Sequence, residues 1–280
     1  MVRGRVSGPS PYPTRAAQAG RALGAVFVVL VFVPPLLLLV AGSLHRPGLP
    51  PAPRPRLVPD PLSTQAYADA FAVGGLARAT VNSLLVAVFA VPLSVLVASL
   101  AGFALARLRG RIVGAVVALT LLALMVPTTA LLVPRFALFR SLNLTDTLVP
   151  LVAPALIATS PLYVLVYFLA FRALPAELYD ACRIEDLTPL RTWWRVGLPL
   201  VRPVTAAVAA LSFVTTWSNL LDPLVYLYDR GRYTLPLALR SLSTLDKHDF
   251  PVLLAGAVVA TIPALVTFAL AQRRFLHHHE

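Results

Sequence analysis

Long apolar runs separated by short polar segments follow one another along most of the chain. A helix needs about 20 apolar residues to cross a bilayer core of about 30 Å, and six runs approach or exceed this length without an Asp, Glu, Lys or Arg. We predict a transmembrane helix for each run, with the internal prolines as tolerated kinks. The runs are Ala22–Leu44, Val81–Leu105, Ile112–Val133, Val149–Phe171, Val204–Leu221 and Val252–Ala271.

The composition fits a membrane protein and not a soluble one. Hydrophobic residues make up 58% of the 280 residues and charged residues only 13%, whereas soluble domains carry about 25% charged residues. This excludes an ordinary soluble enzyme and predicts an all-α polytopic membrane protein. The single cysteine, Cys182, excludes a disulfide framework and a cysteine-based metal cluster.

The distribution of positive charge predicts the orientation of the helices. The net charge is +12, and arginines concentrate in short loops such as Arg107–Arg111, which the positive-inside rule places in the cytoplasm. We read this surplus as a topology signal and predict no nucleic-acid partner. Both termini are expected in the cytoplasm, and the first run is expected to be a retained anchor. The predicted segments are cytoplasmic tails 1–21 and 272–280, a six-span domain 22–271, external loops 45–80, 134–148 and 222–251, and a cytoplasmic loop 172–203.

Short helices are predicted within the loops. An amphipathic helix is expected near Ser63–Phe71 in the first external loop. In the cytoplasmic loop, Pro175 is placed to open one helix, and Thr188 is expected to cap a second helix that stops at Gly197 and Pro199. From composition alone, these two helices fit either an interfacial anchor carrying tryptophans or a protein-docking surface.

The cytoplasmic loop resembles the coupling loop, or EAA loop, of permease subunits in bacterial binding-protein-dependent ABC importers. The family pattern is E-A-A, three residues, G, nine residues, then I-x-L-P. Here Asp180-Ala181-Cys182, Asp186 and Val196-Gly197-Leu198-Pro199 keep every spacing. The largest departure is Asp186 at the glycine position, where the chain bends. Aspartate adopts the left-handed backbone conformation more readily than most residues, so we expect the bend to persist.

The resemblance extends from about residue 15 to residue 276. GFALARLRG, PLYVLVYFLAFRALPAEL, FVTTWSNLLDPLVYL and QRRFL are similar to the subfamily that imports sugars and related polyols, and in particular to the G-type permeases of maltose transporters. The resemblance implies a bacterial cytoplasmic membrane protein with six transmembrane helices that pairs with a second, homologous permease. It also implies two cytoplasmic ATPases bound to the coupling loops and an external substrate-binding protein.

Two groups of residues are candidates for function. The resemblance implies that one group couples the chain to the ATPase, and the polar residues near span ends are candidates for the translocation pathway, although helix packing explains them equally well. The coupling group is Glu177, Asp180, Ala181, Cys182, Glu185, Asp186, Leu198 and Pro199. The pathway group is Asn82, Ser83, Trp217, Ser218 and Asn219. Asp222 is expected at the water interface, and Asp229, Arg230 and Arg232 are expected to contact the binding protein.

The chain lacks the sequence of an ATPase. A phosphate-binding loop of the Walker type needs Lys followed by Ser or Thr, but the single lysine, Lys247, precedes His248. We therefore expect a transport subunit without a cofactor or metal of its own, with ATP and Mg²⁺ bound by the partner ATPase. The alternatives are an importer of a phosphorylated polyol such as glycerol phosphate, an inactive scaffold permease, and a secondary carrier. A secondary carrier would usually carry ionisable residues within its spans, and these runs have none.

Overall fold

The computed structural model describes residues 15–48, 62–72, 74–157, 160–245 and 250–276. Regular structure in these ranges is entirely helical, which confirms the predicted all-α class. The predicted amphipathic helix near Ser63–Phe71 is present at Gln65–Ala72. The helices are α1 (Arg15–Ser43), α2 (Gln65–Ala72), α3 (Leu76–Arg107), α4 (Arg111–Met125), α5 (Leu132–Ser141), α6 (Val149–Ile157), α7 (Pro161–Arg172), α8 (Ala176–Ile184), α9 (Pro189–Thr192), α10 (Leu198–Leu200), α11 (Arg202–Trp217), α12 (Leu221–Tyr226), α13 (Leu235–Leu245) and α14 (Phe250–Leu276).

Four helical stretches of the described chain are long and apolar enough to cross a membrane. They are Val26–Ser43, Leu76–Arg107, Val149–Arg172 and Phe250–Leu270, and positions 158–159 within the third lie outside the described residues. Two sharply bent helix pairs raise the number to six if each pair is one span. The structure is therefore compatible with the six predicted spans, but it does not require all six.

The third predicted span, Ile112–Val133, is not one continuous helix. Helix α4 ends at Met125, and the chain then bends by 84° into a segment that begins with a 3₁₀ turn at Thr128 and continues as α5. Pro127 explains the break, because proline has no backbone N–H and disfavours the helical conformation of the residue before it. The first residues of the predicted external loop 134–148 are therefore helical and belong to α5.

The fifth predicted span and the end of the coupling loop also differ from expectation. The helix begun at Pro189 does not stop at the predicted Gly197 and Pro199, but continues through a π-helical segment and α10 to Leu200 before an 85° bend at Val201. Helix α11 then ends at Trp217, and α12 follows as a separate short helix. The predicted continuous span Val204–Leu221 is therefore too long at its carboxyl end.

Helix α3 lies at the centre of the molecule, where it packs against α6, α7 and α11. Its packing face carries small residues, which permit close approach of helices in a membrane. A Cβ atom built on Gly102 would lie 2.5 Å from the Cβ atom of Tyr167 on α7. The core next to this crossing includes Phe103, Tyr167, Phe171 and Trp193, all buried. It joins the centre of the molecule directly to the coupling loop.

Candidate functional site

A polar cavity lies beside α3, bounded by α6, α7 and α11. Its volume is about 210 Å³. A second cavity of about 410 Å³, bounded by the α4–α5 bend, shares Ser160, Tyr163, Thr215, Asn219 and Asp222 with the first. The two cavities therefore adjoin. Hydroxyl groups dominate their polar lining, with Ser83, Ser94, Thr128, Thr129, Ser160, Tyr163, Ser212, Thr215, Thr216 and Thr234.

Hydrogen bonds within the chain position some of these hydroxyl groups. The Tyr163 hydroxyl lies 3.2 Å from the Thr215 Oγ1 and connects α7 with α11. The Ser83 Oγ accepts a hydrogen bond from the backbone N–H of Leu235, at 2.8 Å. A hydroxyl group can donate one hydrogen bond and accept two. The lining is therefore suited to the hydroxyl groups of a polyhydroxylated ligand.

An ion pair links α5, which follows the 84° bend, with the short helix α12. The Arg135 Nη2 of α5 lies 3.5 Å from the Asp222 Oδ1 of α12, and the two side chains are 24% and 19% exposed. The Asn219 amide donates to the Asp222 Oδ2 at 2.8 Å, and its Oδ1 accepts the Asp222 backbone N–H at 3.2 Å. The Arg135 guanidinium also lies 5.9 Å from the centre of the Tyr226 ring.

Sequence reasoning missed this pair. Asp222 was expected simply at the water interface, but it is mostly buried and lines both cavities. Arg135 was assigned only to an external loop. A signal was present, because the two residues have opposite charges and each follows the end of a predicted span.

The predicted pathway residues separate into two groups in the structure. Ser83 and Asn219 line the cavity. Asn82 instead donates to the backbone carbonyls of Gly231 and Tyr233, at 3.0 Å each. The buried Trp217 donates from Nε1 to the Ala260 carbonyl at 2.9 Å and so joins α11 to α14. Ser218 is exposed, and its Oγ donates a hydrogen bond to the Val214 carbonyl of the preceding helix α11.

The coupling loop contains the predicted bend, and Asp186 occupies it with a φ of 50°. The Asp186 N–H donates to the Arg183 carbonyl at 3.1 Å, and the Leu187 N–H donates to the Cys182 carbonyl at 3.0 Å. This pair of hydrogen bonds is the Schellman motif, in which glycine usually holds the left-handed position. The expectation that aspartate preserves the bend is confirmed.

The second coupling helix begins as predicted. The Thr188 Oγ1 accepts the backbone N–H of Arg191 at 3.3 Å, which is the hydrogen bond of an N-cap. Pro189 occupies the first turn. The first coupling helix begins at Ala176, directly after Pro175. Both predicted start signals therefore lie at helix starts.

The coupling residues differ in accessibility. Five are exposed, Cys182 is buried, and Leu198 and Pro199 are partly buried. The exposed ones are Glu177, Asp180, Ala181, Glu185 and Asp186. Apolar side chains lie exposed among them, most of all Ile184 at 83%, together with Leu190 and Trp194. Sequence reasoning had not selected Ile184 or Leu190, although both are large apolar residues in an otherwise polar segment.

Aromatic contacts attach this loop to the helical core. The Tyr179 hydroxyl donates to the Phe171 carbonyl at 2.9 Å. The Arg107 guanidinium lies 5.5 Å from the ring centre of Phe103 and 5.1 Å from that of Tyr179. Trp193 is buried in the core, so of the two adjacent tryptophans only Trp194 is exposed to a partner or to lipid. The loop is therefore packed against α3 and α7.

A cluster around Asp146 links two predicted external segments. Its carboxylate accepts the backbone N–H groups of Tyr228 and Asp229, both at 3.0 Å, and lies 3.1 Å from the Arg232 Nη1. These backbone hydrogen bonds, and then the Arg232 charge, hold the pKa of the Asp146 carboxyl below its ordinary value. Asp229 and Arg232, expected to contact the binding protein, thus already have partners within the chain.

Comparisons with known proteins agree with this architecture. Residues 90–275 match the family described as binding-protein-dependent transport system inner membrane component. The arabinooligosaccharides transport system permease protein AraQ of Halalkalibacterium halodurans is 33% identical, with 91% of each chain covered. The lactose transport system permease protein LacG of Rhizobium radiobacter is 32% identical, with 70% of this chain and 71% of that protein covered.

A solved structure shares the fold. In the crystal structure of a bacterial ABC transporter involved in the import of the acidic polysaccharide alginate, one chain superposes with a TM-score of 0.76 at 20% identity. The match covers 95% of this chain and 100% of that one. The resemblance inferred from the coupling loop is confirmed, and the chain belongs to the family of binding-protein-dependent transport system inner membrane components.

Proposed function

We propose that this chain is the permease subunit of an ATP-driven importer for an uncharged sugar or related polyol. In this proposal it forms half of a heterodimeric pore with a second, homologous permease. The observation that carries the proposal is the hydroxyl-lined cavity beside α3. The arabinooligosaccharide and lactose permeases among its relatives support a carbohydrate substrate.

The charge of the cavity favours an uncharged substrate over a phosphorylated polyol. Among the described residues that line the two adjoining cavities, Arg135 and Asp222 carry charge, and they pair with each other. A phosphate group would need an unpaired cation, because a charge removed from water is stable only with a partner. A sugar needs only the donors and acceptors that the hydroxyl groups and Asn219 provide.

The coupling loop is proposed to transmit ATPase movement to the pathway. Its exposed surface combines acidic groups such as Glu177 and Asp180 with exposed apolar residues such as Ile184, a combination suited to a basic cleft with an apolar floor. The contacts of Tyr179 and Trp193 with the α3–α7 core provide a rigid connection. Movement of α8 would then displace the helices that bound the cavity, as in a rigid-body transition.

The proposed location is the bacterial cytoplasmic membrane, with both termini in the cytoplasm. In this orientation the Arg107–Arg111 turn and the coupling loop lie on the cytoplasmic side. Two ATPases would bind there and would hydrolyse ATP with Mg²⁺. The Asp146 cluster would then face outward, toward a substrate-binding protein. No cofactor of the chain itself is part of the proposal.

Copurification tests the proposed assembly. The full chain is extracted from its own membranes in mild detergents, and the proteins that accompany it are identified by mass spectrometry. We expect a second six-span permease, an ABC ATPase and a binding protein. Recovery of the chain alone at reproducible yield in several detergents would contradict the proposal and favour an independent membrane protein.

A further inference from the structure

Four arginines surround a pocket between the carboxyl ends of α3 and α7 and the coupling helix α8. The pocket has a volume of about 180 Å³. It lies apart from the sugar cavity, and the two share no lining residue. Its basic residues are Arg107, Arg109, Arg172 and Arg183, and Asp180 is the acidic residue that lines it.

The pocket carries an excess of positive charge. The Arg183 Nη1 binds the Asp180 Oδ1 at 3.1 Å, so these two charges compensate each other. Within the described part of the chain, Arg107, Arg109 and Arg172 form no ion pair. Three positive charges therefore face one small pocket without an anionic partner.

Aromatic rings hold two of the three guanidinium groups in place. Arg107 lies over Phe103 and Tyr179, at 5.5 and 5.1 Å from the ring centres, and Arg172 lies 5.5 Å from the ring centre of Phe168. A cation over an aromatic face is attracted by the ring but keeps its N–H groups free for an anion. Because guanidinium groups present N–H donors in a planar fork, they match phosphate oxygens well.

Exposed apolar side chains lie close in sequence to the arginines of this pocket. Ile112 lies in the first turn of α4 and is 62% exposed, and Leu169 lies about one turn before Arg172 and is 64% exposed. Leu108, between Arg107 and Arg109, is also exposed. A ligand that satisfies the whole region must combine an anionic group with hydrocarbon. Free phosphate would neutralise the arginines but would leave the apolar surface uncovered.

We propose that this pocket binds the phosphodiester headgroup of an anionic phospholipid. Basic pockets between transmembrane helices on the cytoplasmic side suit such headgroups. The acyl chains would lie along the exposed residues of α4 and α7, while the phosphate contacts Arg107, Arg109 and Arg172. One lipid would thereby link the α3–α4 turn to the coupling loop. The proposal concerns lipid binding and holds for any transported substrate.

Native mass spectrometry of the full chain in neutral detergent tests this site. The probes are dioleoyl phosphatidylglycerol, dioleoyl phosphatidylcholine with the same acyl chains, and inorganic phosphate. We expect the unmodified chain to retain phosphatidylglycerol in preference to phosphatidylcholine. Each arginine near a headgroup contributes about 1 kcal/mol, so an R109Q/R172Q double variant should bind phosphatidylglycerol about 10- to 30-fold more weakly.

The matched control is an R191Q/R195Q double variant. It removes two exposed arginines from the same loop but none from the pocket, and we expect it to retain phosphatidylglycerol like the unmodified chain. Equal retention of both lipids, or equal losses in the two double variants, would overturn the site. Displacement of phosphatidylglycerol by inorganic phosphate alone would identify a free-anion site and would likewise overturn the proposed lipid.

Discussion

At the scale of single residues, Asp186 shows how one substitution is accommodated in a family motif. Its φ of 50° lies in the region that favours glycine. The two Schellman hydrogen bonds hold it there. The sequence is sufficient to identify this aspartate, because the motif spacing places the bend at position 186.

Replacing Asp186 with glycine should stabilise the coupling loop. Glycine adopts this backbone conformation without a Cβ clash, and the gain is about 0.5–1 kcal/mol after its greater freedom in the unfolded state is subtracted. We expect slower amide hydrogen exchange at Leu187 and through α8 in the Asp186→Gly variant. An Asp186→Val variant should exchange faster, because a β-branched residue is strained at positive φ. Unchanged amide hydrogen exchange in both variants would show that the backbone conformation at position 186 does not determine the stability of the coupling loop.

The Arg135–Asp222 pair is the second decisive feature at this scale, because it sets the charge of the cavity. An Asp222→Asn variant leaves Arg135 unpaired, and an Arg135→Gln variant leaves Asp222 unpaired. One uncompensated charge in the lining of the cavity is expected to change the relative uptake of acidic and neutral sugars by about tenfold. Asp222→Asn should favour acidic sugars, and Arg135→Gln should disfavour them.

The measurement is uptake of a labelled neutral disaccharide and of its uronic-acid analogue by the assembled importer in proteoliposomes. The ratio of the two rates removes effects on protein amount and folding. A ratio that stays constant in both variants would show that the pair does not face the substrate.

At the scale of helices, the centre of the molecule depends on how closely α3 approaches α7. Hydropathy predicted α1, α3 and α14 well, because a long apolar run without charged residues can satisfy its backbone hydrogen bonds in a membrane by forming a helix. It did not predict the break after α4, since proline is tolerated as a kink in many membrane helices and only the surrounding packing decides between a kink and an 84° bend. The contact between Arg135 and Asp222 depends on that bend, so their opposite charges near two predicted span ends were not enough to place the two side chains together.

A Gly102→Ala substitution should disturb the α3–α7 crossing. The new Cβ atom would meet the Phe168 backbone nitrogen at 2.8 Å and the Val164 carbonyl oxygen at 2.9 Å, and neither backbone atom can rotate away. Overpacking of this kind costs about 1–3 kcal/mol. We expect a lower midpoint of thermal unfolding in detergent.

The control is Gly114→Ala in α4, where nothing lies within 4 Å of the added Cβ atom. Alanine is the better helix former by about 0.5–1 kcal/mol, so this variant should be unchanged or slightly stabilised. Equal thermal midpoints for the two variants would contradict the close approach at Gly102.

The Asp146 cluster makes a pH-dependent connection between external segments. Folding lowers the pKa of this carboxyl, so its contribution is present above the ordinary value of about 3.9 and disappears as the pH falls through the lowered value. Residues 227–233 should therefore become sensitive to proteolysis only in strongly acidic solution. An Asp146→Asn variant should be sensitive already at neutral pH, whereas Asp69→Asn should behave like the unmodified chain. A pH-independent digestion pattern would contradict the connection.

At the scale of the whole molecule, the coupling loop and the cavity lie at different ends of one packed unit. Helices α3 and α7 bound the cavity and also contact Tyr179 and Trp193 of the loop through their aromatic residues. This arrangement is what a subunit needs if an event at its cytoplasmic surface is to alter a pathway within the membrane. Family resemblance located the loop from the sequence, but the cavity required the three-dimensional structure because its lining residues are scattered over many helices.

Reversing the charge of Asp180 should uncouple the assembled importer. An Asp180→Lys variant places a positive charge on the exposed face of α8, where we propose a basic ATPase cleft. Transport and substrate-stimulated ATP hydrolysis should both fall, while the chain stays folded because Asp180 is exposed. Asp69→Lys is the control outside the loop. Wild-type rates of transport and ATP hydrolysis in the Asp180→Lys variant would show that Asp180 is not part of the coupling surface.

We propose that the chain conducts an uncharged sugar only when a separate ATPase hydrolyses ATP. The most direct measurement is uptake of labelled neutral oligosaccharides into proteoliposomes that hold the copurified complex, with the binding protein outside and ATP inside. We predict uptake that requires ATP, the ATPase and this chain, and that labelled glycerol phosphate does not replace. Uptake of glycerol phosphate alone would contradict the proposed substrate, and sugar uptake that continues without ATP would contradict the proposed mechanism.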